Sequence, residues 1–300
     1  MKFEGVYVAT VTPFTSADEV CLTTLEHHLR WLASKGVQGF VPLGTTGEAS
    51  VLDWGERTEI LKLTEFVGRS LGLQLIAGCG SNNTQVALQY IQEAETLGYD
   101  ACLVVTPYYN KPTAAGLIAH YRFLADNSSL PIILYNVPGR TAVNMTPETV
   151  ATLLEHPRII GIKEASGNHA QWQALSASID WSNRSFLSGD DDAFATMLAM
   201  GATGMISASA NLYPEGFVAI HEMAKKNDFV GAFQLQKKLM PLINAMFLET
   251  SPAPVKYALH ALGLGTPGLR LPLVPVGATT EVEIRKVLIG LELASAAPKA

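Results

Sequence analysis

The chain has 300 residues, 48% of them hydrophobic and 16% charged, enough apolar surface for a large core and inconsistent with intrinsic disorder. Its 27 acidic and 21 basic residues give a net charge of −6, and no stretch of Lys and Arg is dense enough to follow a phosphate backbone, so nucleic-acid binding is not expected. No segment offers the roughly 18 uninterrupted apolar residues that a membrane helix needs.

The chain opens MKFEGVYVATVTPF, with a single Lys followed almost at once by Glu4, and with no long apolar stretch or small-residue cleavage site. A secretory signal is therefore not expected. Short apolar, β-branched runs then recur: 5–11, 37–43, 73–78, 101–106, 131–136, 158–164, 184–189 and 204–207. They are continuous rather than alternating, which suits parallel strands buried on both faces. Amphipathic stretches such as 53–70, 84–97 and 113–126 lie between them. Several open with a helix-start signal: Asp53, Asn83-Thr84, Thr146-Pro147 and Asp190 to Asp192.

Eight strand–helix units leave two solutions, a closed barrel or a doubly wound open sheet. A dinucleotide-binding open sheet should carry GxGxxG after an early strand, and GCGSNN (78–83) has only its first two glycines. A (β/α)8 TIM barrel over residues 1–225 is the expected fold. Residues 226–300 read as a helical extension, with apolar-faced segments FVGAFQLQKKLMPLINAMFLE, PVKYALHALG and EVEIRKVLIGLELA, and with only the tail SAAPKA low in complexity. Cys21, Cys79 and Cys102 form no CxxC and are odd in number, as expected of reduced thiols in a cytoplasmic protein.

In barrel enzymes the chemistry sits where the strands end and the βα loops begin. Strand 6 ends GIKEASG (161–167), placing Lys163 inside an apolar run. Burying a lysine disfavours its charged form and makes the neutral amine available, which a Schiff-base nucleophile requires. A lysine that snorkels to the rim or pairs with Glu164 is the plainer alternative. Strand 2 ends GTTGE (44–48), where Gly44 and Gly47 would turn the backbone sharply and present N–H groups to an anion, with Thr45 and Thr46 adding hydroxyls. The plainer reading is a turn with Glu48 opening the next helix.

Tyr135 ends strand 5, where a hydroxyl chained to Thr46 could pass protons and where packing alone would also explain it. Arg140 follows in YNVPGRT (135–141) and can hold a carboxylate in bidentate fashion, or simply form a surface ion pair. Tyr108 and Tyr109 in TPYYNKP (106–112) suit a relay, a lid or an interface. Asp190 to Asp192 in SGDDD read as helix caps, with Asp190 at or near the N-cap, because no His accompanies them at metal-ligand spacing. There is no HExxH, P-loop or nucleophile elbow, so metal, nucleotide and Ser-hydrolase chemistries have no motif behind them.

GTTGE, TPYYNKP, YNVPGRT, GIKEASG and LSGDD, in this order at these strand ends, resemble the dihydrodipicolinate (4-hydroxy-tetrahydrodipicolinate) synthase family, within the pyruvate-dependent class I aldolase group that includes N-acetylneuraminate lyase. SPAPVKYAL (251–259) and LRLPLVP (269–275) extend the similarity into the tail. The resemblance implies that Lys163 forms an imine with pyruvate and that Thr45 and Thr46 hold its carboxylate. It implies a proton relay of Tyr135, Thr46 and Tyr109, the last from a neighbouring subunit. Arg140 would receive the carboxylate of L-aspartate 4-semialdehyde, and the Ile206 backbone would complete the pocket. No metal or organic cofactor is implied, because the imine is itself the electron sink. The family is usually a tetramer, and a shared tyrosine is a reason to expect at least a tight dimer.

Two alternatives stay open. One is a related lyase or aldolase acting on sialate or 2-keto-3-deoxy sugar acids, which shares the imine but needs hydroxyl-binding groups near strands 7 and 8. The other is a non-catalytic 2-oxo acid sensor, which would be free to lose Lys163, Tyr135 or Arg140. One departure from the family pattern bears on regulation. Feedback-inhibited members hold lysine with a Glu where this chain has Val86, and two frequent His of theirs read here as Trp54 and Arg57, while Asn82 and Tyr108 are kept. An unpaired ammonium in a partly buried site costs on the order of 1–3 kcal/mol or more. Weak or absent lysine inhibition is therefore expected, and full inhibition at sub-millimolar lysine in a steady-state assay would contradict it.

Overall fold

The computed structural model describes residues 2–293; the low-complexity tail SAAPKA lies outside the described residues. Eight parallel strands close on themselves in chain order: β1 (Gly5–Ala9), β2 (Gly39–Val41), β3 (Gln74–Gly78), β4 (Ala101–Val105), β5 (Ile132–Asn136), β6 (Ile159–Glu164), β7 (Ser185–Ser188) and β8 (Gly204–Ser207). β8 returns to β1 with Tyr7 opposite Ile206, which closes the barrel. Every expected strand is present, and the apolar runs are continuous because both strand faces are covered. All five residues of β1 and of β5 are buried.

The two faces still differ in what they meet. Tyr7, Val41, Ile76, Leu103, Ile133, Tyr135, Leu187 and Ile206 point inward and pack together inside the barrel. Val6, Phe40, Leu75, Val104, Leu134, Ile162, Phe186 and Met205 point outward into a larger core beneath the helices.

The helices of that outer layer are α1 (Leu22–Ser34), α2 (Trp54–Ser70), α3 (Thr84–Thr96), α4 (Ala114–Asp126), a short α5 (Pro138–Thr141), α6 (Pro147–Leu154), α7 (His169–Ser178), α8 (Phe194–Ala199) and α9 (Pro214–Lys225). Their starts follow local chemistry. Asp53 accepts the Glu56 N–H while Glu56 reaches back to the Asp53 N–H, a complete capping box. Asn83 caps α3 and Thr146 caps α6, with Pro147 in its first turn.

Asp190 does hold an N-cap position, that of a 3-10 turn leading into α8, but the expectation that it caps is corrected. Its side chain makes no cap bond but accepts the Gly167 N–H at 3.0 Å, and α8 begins only after a 3-10 turn at Asp191–Ala193. Proximity of the β6 and β7 loops at the barrel rim outweighs the local capping preference.

Three further helices follow, α10 (Phe229–Ala245), α11 (Ala253–Ala261) and α12 (Ala278–Gly290). They form their own apolar cluster, including Leu242, Met246, Val255, Leu259, Ile284 and Leu288, and reach the barrel at Val11 and Leu212. α10 also lies along α9 and α8. Among the described residues no helix is long and apolar enough to cross a membrane.

Candidate active site

A cavity of about 420 Å³ opens at the C-terminal end of the barrel. Thr45, Thr46, Tyr135, Arg140, Lys163 and Ile206 all line it, although they come from four different strand ends across 162 residues of sequence. Tyr109 does not line it. It is 87% exposed at the tip of the β4–α4 loop.

Lys163 is the group most tightly constrained. β6 alternates, so Lys163 points into the barrel while Glu164 points out between the strands and the helices. The pairing with Glu164 considered from sequence is therefore not made. Glu164 is fully buried and accepts from Asn136 Nδ2 (3.0 Å), Gln171 Nε2 (3.2 Å) and the Ser166 N–H (2.8 Å). Burial raises its pKa, and those hydrogen bonds oppose the rise. The Lys163 side chain is 6% exposed, and its Nζ lies 4.2 Å from the Tyr135 ring centroid, a cation–π arrangement fixed by the register that sets Tyr135 beside Lys163. Gly189, on the neighbouring β7 loop, leaves room for the lysine stem. A Cβ there would come within 3.0 Å of Lys163 Cε and 2.7 Å of Ala165 Cβ.

The GTTGE turn is built differently from the sequence expectation. Its left-handed residues are Leu43 (φ 60°) and Glu48 (φ 51°), not the glycines. The Gly47 and Glu48 N–H groups close onto the Gly44 and Thr45 carbonyls, both at 3.1 Å. The amides left without a backbone partner among the described residues are those of Gly44, Thr45 and Thr46, the last two within the turn. These N–H groups, with the exposed hydroxyl of Thr45 and the buried side chain of Thr46, form the part of the wall able to hold a carboxylate. Among the described residues no hydrogen bond joins the Thr46 and Tyr135 hydroxyls, which share the cavity without touching. Such contacts tighten when substrate fills a site.

Opposite this turn, Arg140 sits on α5 with its side chain exposed at the mouth. Ile206, 1% exposed on β8, closes the floor.

Three features escaped sequence reasoning. Asp191 is 3% exposed and lines the cavity; Oδ2 accepts the Ser209 N–H at 2.8 Å, and Oδ1 is buried without a partner. Burial pushes its carboxyl up, and the Ser209 bonds and the charge of Lys163 oppose this. Three consecutive Asp gave no way to tell which one the fold buries. Next, α10 and its following turn contribute Ile243, Asn244, Phe247 and Leu248 to the cavity wall, so the extension shapes the site. Last, Glu48 stands at the start of a short 3-10 turn, Ala49–Val51, but its side chain makes no cap bond and forms a fully buried pair with Lys256 at 2.6 Å. The signal was a lysine inside the apolar segment PVKYAL, the same oddity that singled out Lys163.

The residues singled out for lysine feedback lie elsewhere, around α2 and α3. Arg57 is buried with its guanidinium 3.6 Å from the Tyr90 ring centroid, and Trp54 packs on the same ring. Val86 is half-buried in the first turn of α3. Among the described residues no group of three or more His, Cys, Asp or Glu is placed to hold a metal ion.

A closed parallel barrel, with a buried lysine on its sixth strand sharing a cavity with the GTTGE turn after its second, defines a class: the β/α-barrel enzymes that work through a lysine amine. Within that class the chain belongs to the dihydrodipicolinate synthetase family, whose model matches residues 2–289. It is 45% identical over 286 residues to the 4-hydroxy-tetrahydrodipicolinate synthase of Thermodesulfovibrio yellowstonii, covering 95% of this chain and 97% of that one. Among solved structures it resembles dihydrodipicolinate synthase from Thermotoga maritima, with TM-score 0.94, 37% identity, and 97% and 99% of the two chains covered. It also resembles the chloride-inhibited dihydrodipicolinate synthase from Acinetobacter baumannii complexed with pyruvate, with TM-score 0.93, 39% identity, and again 97% and 99% covered.

Proposed function

We propose that this chain has 4-hydroxy-tetrahydrodipicolinate synthase activity, a lyase of the Schiff-base class I aldolase type, condensing pyruvate with L-aspartate 4-semialdehyde in the diaminopimelate route to lysine. The observation that carries this reading is the buried Lys163 amine in one cavity with the Thr45–Thr46 amides and hydroxyls. A 2-oxo acid needs both an amine for its carbonyl and donors for its carboxylate.

In this reading each residue has a step. Once deprotonated, the Lys163 amine attacks C2 of pyruvate and water leaves, forming the imine. Thr45 and Thr46 hold the carboxylate. A methyl proton passes from C3 to the Tyr135–Thr46 relay, giving the enamine, and Tyr109 of a neighbouring subunit completes that relay. The enamine carbon attacks the aldehyde carbon of the semialdehyde, whose carboxylate rests on Arg140, and the new alkoxide takes a proton from the relay. The amino group then attacks C2, displaces Lys163 and closes the ring. The iminium supplies the electron sink, so no cofactor is called for. The Ile206 backbone borders the reacting carbons.

Residues 1–225 are the catalytic barrel and 226–300 the extension in this reading. The working form is a homo-oligomer, a dimer of dimers, in the cytoplasm. The three unbridged cysteines suit a reducing compartment.

Sodium borohydride with pyruvate is the decisive test. A reduced adduct that maps to Lys163, absent in K163A, is the expected result. No adduct at any site would sink the reading. Comparing aspartate semialdehyde with N-acetylmannosamine as the aldehyde separates the synthase from a sialate lyase.

A further inference from the structure

We infer that the buried Glu48–Lys256 pair is a positioning device for the Thr45–Thr46 turn, setting the affinity for the carboxylate of the 2-oxo acid. Neither residue lines the cavity. The inference rests on the proposed use of that turn to hold pyruvate.

The chain of contacts is short. Glu48 closes the GTTGE turn in a left-handed backbone conformation, φ 51°, which a residue with a side chain adopts only when its surroundings enforce it. Its surroundings do so from both carboxylate oxygens. Oε1 accepts from Lys256 Nζ at 2.6 Å, and Oε2 accepts the Arg270 N–H at 3.2 Å. Both members of the ion pair have side chains only 1% exposed.

Lys256 is itself held. Its Nζ donates to the Thr12 carbonyl at 2.8 Å and lies 4.2 Å from the Phe14 ring centroid. The Thr12 hydroxyl in turn donates to the Gly47 carbonyl at 2.7 Å. Two consecutive residues, Gly47 and Glu48, are thus pinned from outside the turn. From there two hydrogen bonds cross it: Gly47 N–H to Gly44 O, and Glu48 N–H to Thr45 O. Thr45 and Thr46 lie inside those two bonds. Moving Glu48 therefore reorients the free amides on which the carboxylate would rest.

A purely structural role is the competing account, and burial makes it a serious one. The two accounts differ in what they change. A buried ion pair can often be replaced by a neutral pair of similar volume without loss of stability. A positioning role predicts that such a replacement spares folding and harms pyruvate binding selectively.

The experiment uses the full-length chain with E48Q, K256M, the double variant E48Q/K256M, and T12V as a milder probe that removes only the Thr12–Gly47 bond. Steady-state kinetics with both substrates and borohydride trapping across a range of pyruvate concentrations are measured alongside thermal melting. The expected result for the double variant is a melting temperature close to wild type and a KM for pyruvate raised about tenfold or more. Its KM for the semialdehyde should stay within about twofold, and Lys163 trapping should become complete again at saturating pyruvate. T12V should move in the same direction by less.

An unchanged KM for pyruvate in folded variants overturns the inference. So does an equal rise in both KM values with a fall in kcat, which is general loosening. Should a single variant fail to fold, the double variant and T12V still decide. Absence of trapping in the wild type itself would instead overturn the proposed activity, so the two failures are distinguishable.

Discussion

Thr46 and Tyr135 line one cavity with Lys163, and their separate contributions are measurable because the proposed mechanism has them act after the imine has formed. In the proposed mechanism Y135F and T46V remove proton-transfer groups and leave the amine in place. General acid–base groups contribute about 10²–10⁴-fold. Each variant should lower kcat by a factor in that range while still giving a borohydride adduct on Lys163. Loss of the adduct in a folded Y135F protein would show that Tyr135 serves imine formation instead. At this scale the sequence was readable where a residue type contradicted its local surroundings. Lys163 stood out as a charge in an apolar strand. Asp191 did not, because its neighbours are also Asp and only the long-range approach of Ser209 buries it. Asp190 holds the expected N-cap position without capping, because capping is a local rule and its partner, Gly167, lies on another loop.

The element scale is where local sequence signals were most dependable. Continuous apolar runs marked all eight strands, and polar starts marked α2, α3 and α6, because both depend on near neighbours alone. What the pattern could not supply was contact between distant elements, and α1 illustrates it. His28 is a buried residue of that helix, with Nε2 3.0 Å from Asn211 Oδ1 in the turn after β8. Burial holds its pKa down at about 4, and the Asn211 bond opposes the shift only partly. His120 on α4 is likewise lowered by burial to about 4.

The sign follows from linkage. An unfolded-state histidine binds its proton near pH 6.5, and the folded-state one only near 4, so the unfolded state holds more protons between those values. Stability therefore rises with pH across this window and is lost as pH falls through it. Each histidine accounts for at most about 3 kcal/mol. Asp190 works in the opposite sense. Burial raises its pKa to about 6, so its ionisation weakens the fold as pH rises from about 4 to 6. H28Q keeps a donor for Asn211 and removes the titration. Urea midpoints at pH 7 and pH 4.5 should differ less for H28Q than for wild type, and an equal difference in the two proteins would exclude His28 as a source of acid lability.

At the scale of the whole molecule, the extension ties the barrel's first and last contributions together. Lys256 reaches Thr12 and Glu48, Arg270 reaches Glu48 and Glu56, and Gln236 of α10 donates to the Asp191 carbonyl at 2.9 Å. None of this was legible in the sequence, since it joins residues as much as 244 positions apart. The one proposed relay group outside the cavity is Tyr109. It is 87% exposed, and its backbone lies at φ 74°, a conformation strained for a tyrosine in isolation. The loop is braced behind it by Asn110 Nδ2 donating to the Asn82 carbonyl at 2.8 Å. A large aromatic held outward on a braced loop is compatible with the role that the resemblance to the family implies for it, in the site of a neighbouring copy. Activity should then depend on assembly. On dilution, specific activity should fall in step with the dissociation seen by sedimentation velocity, and Y109A should lose about 10²-fold in kcat even at concentrations where it is assembled. A monomer with full specific activity would remove Tyr109 from the relay and leave Thr46 and Tyr135 to carry the proton alone.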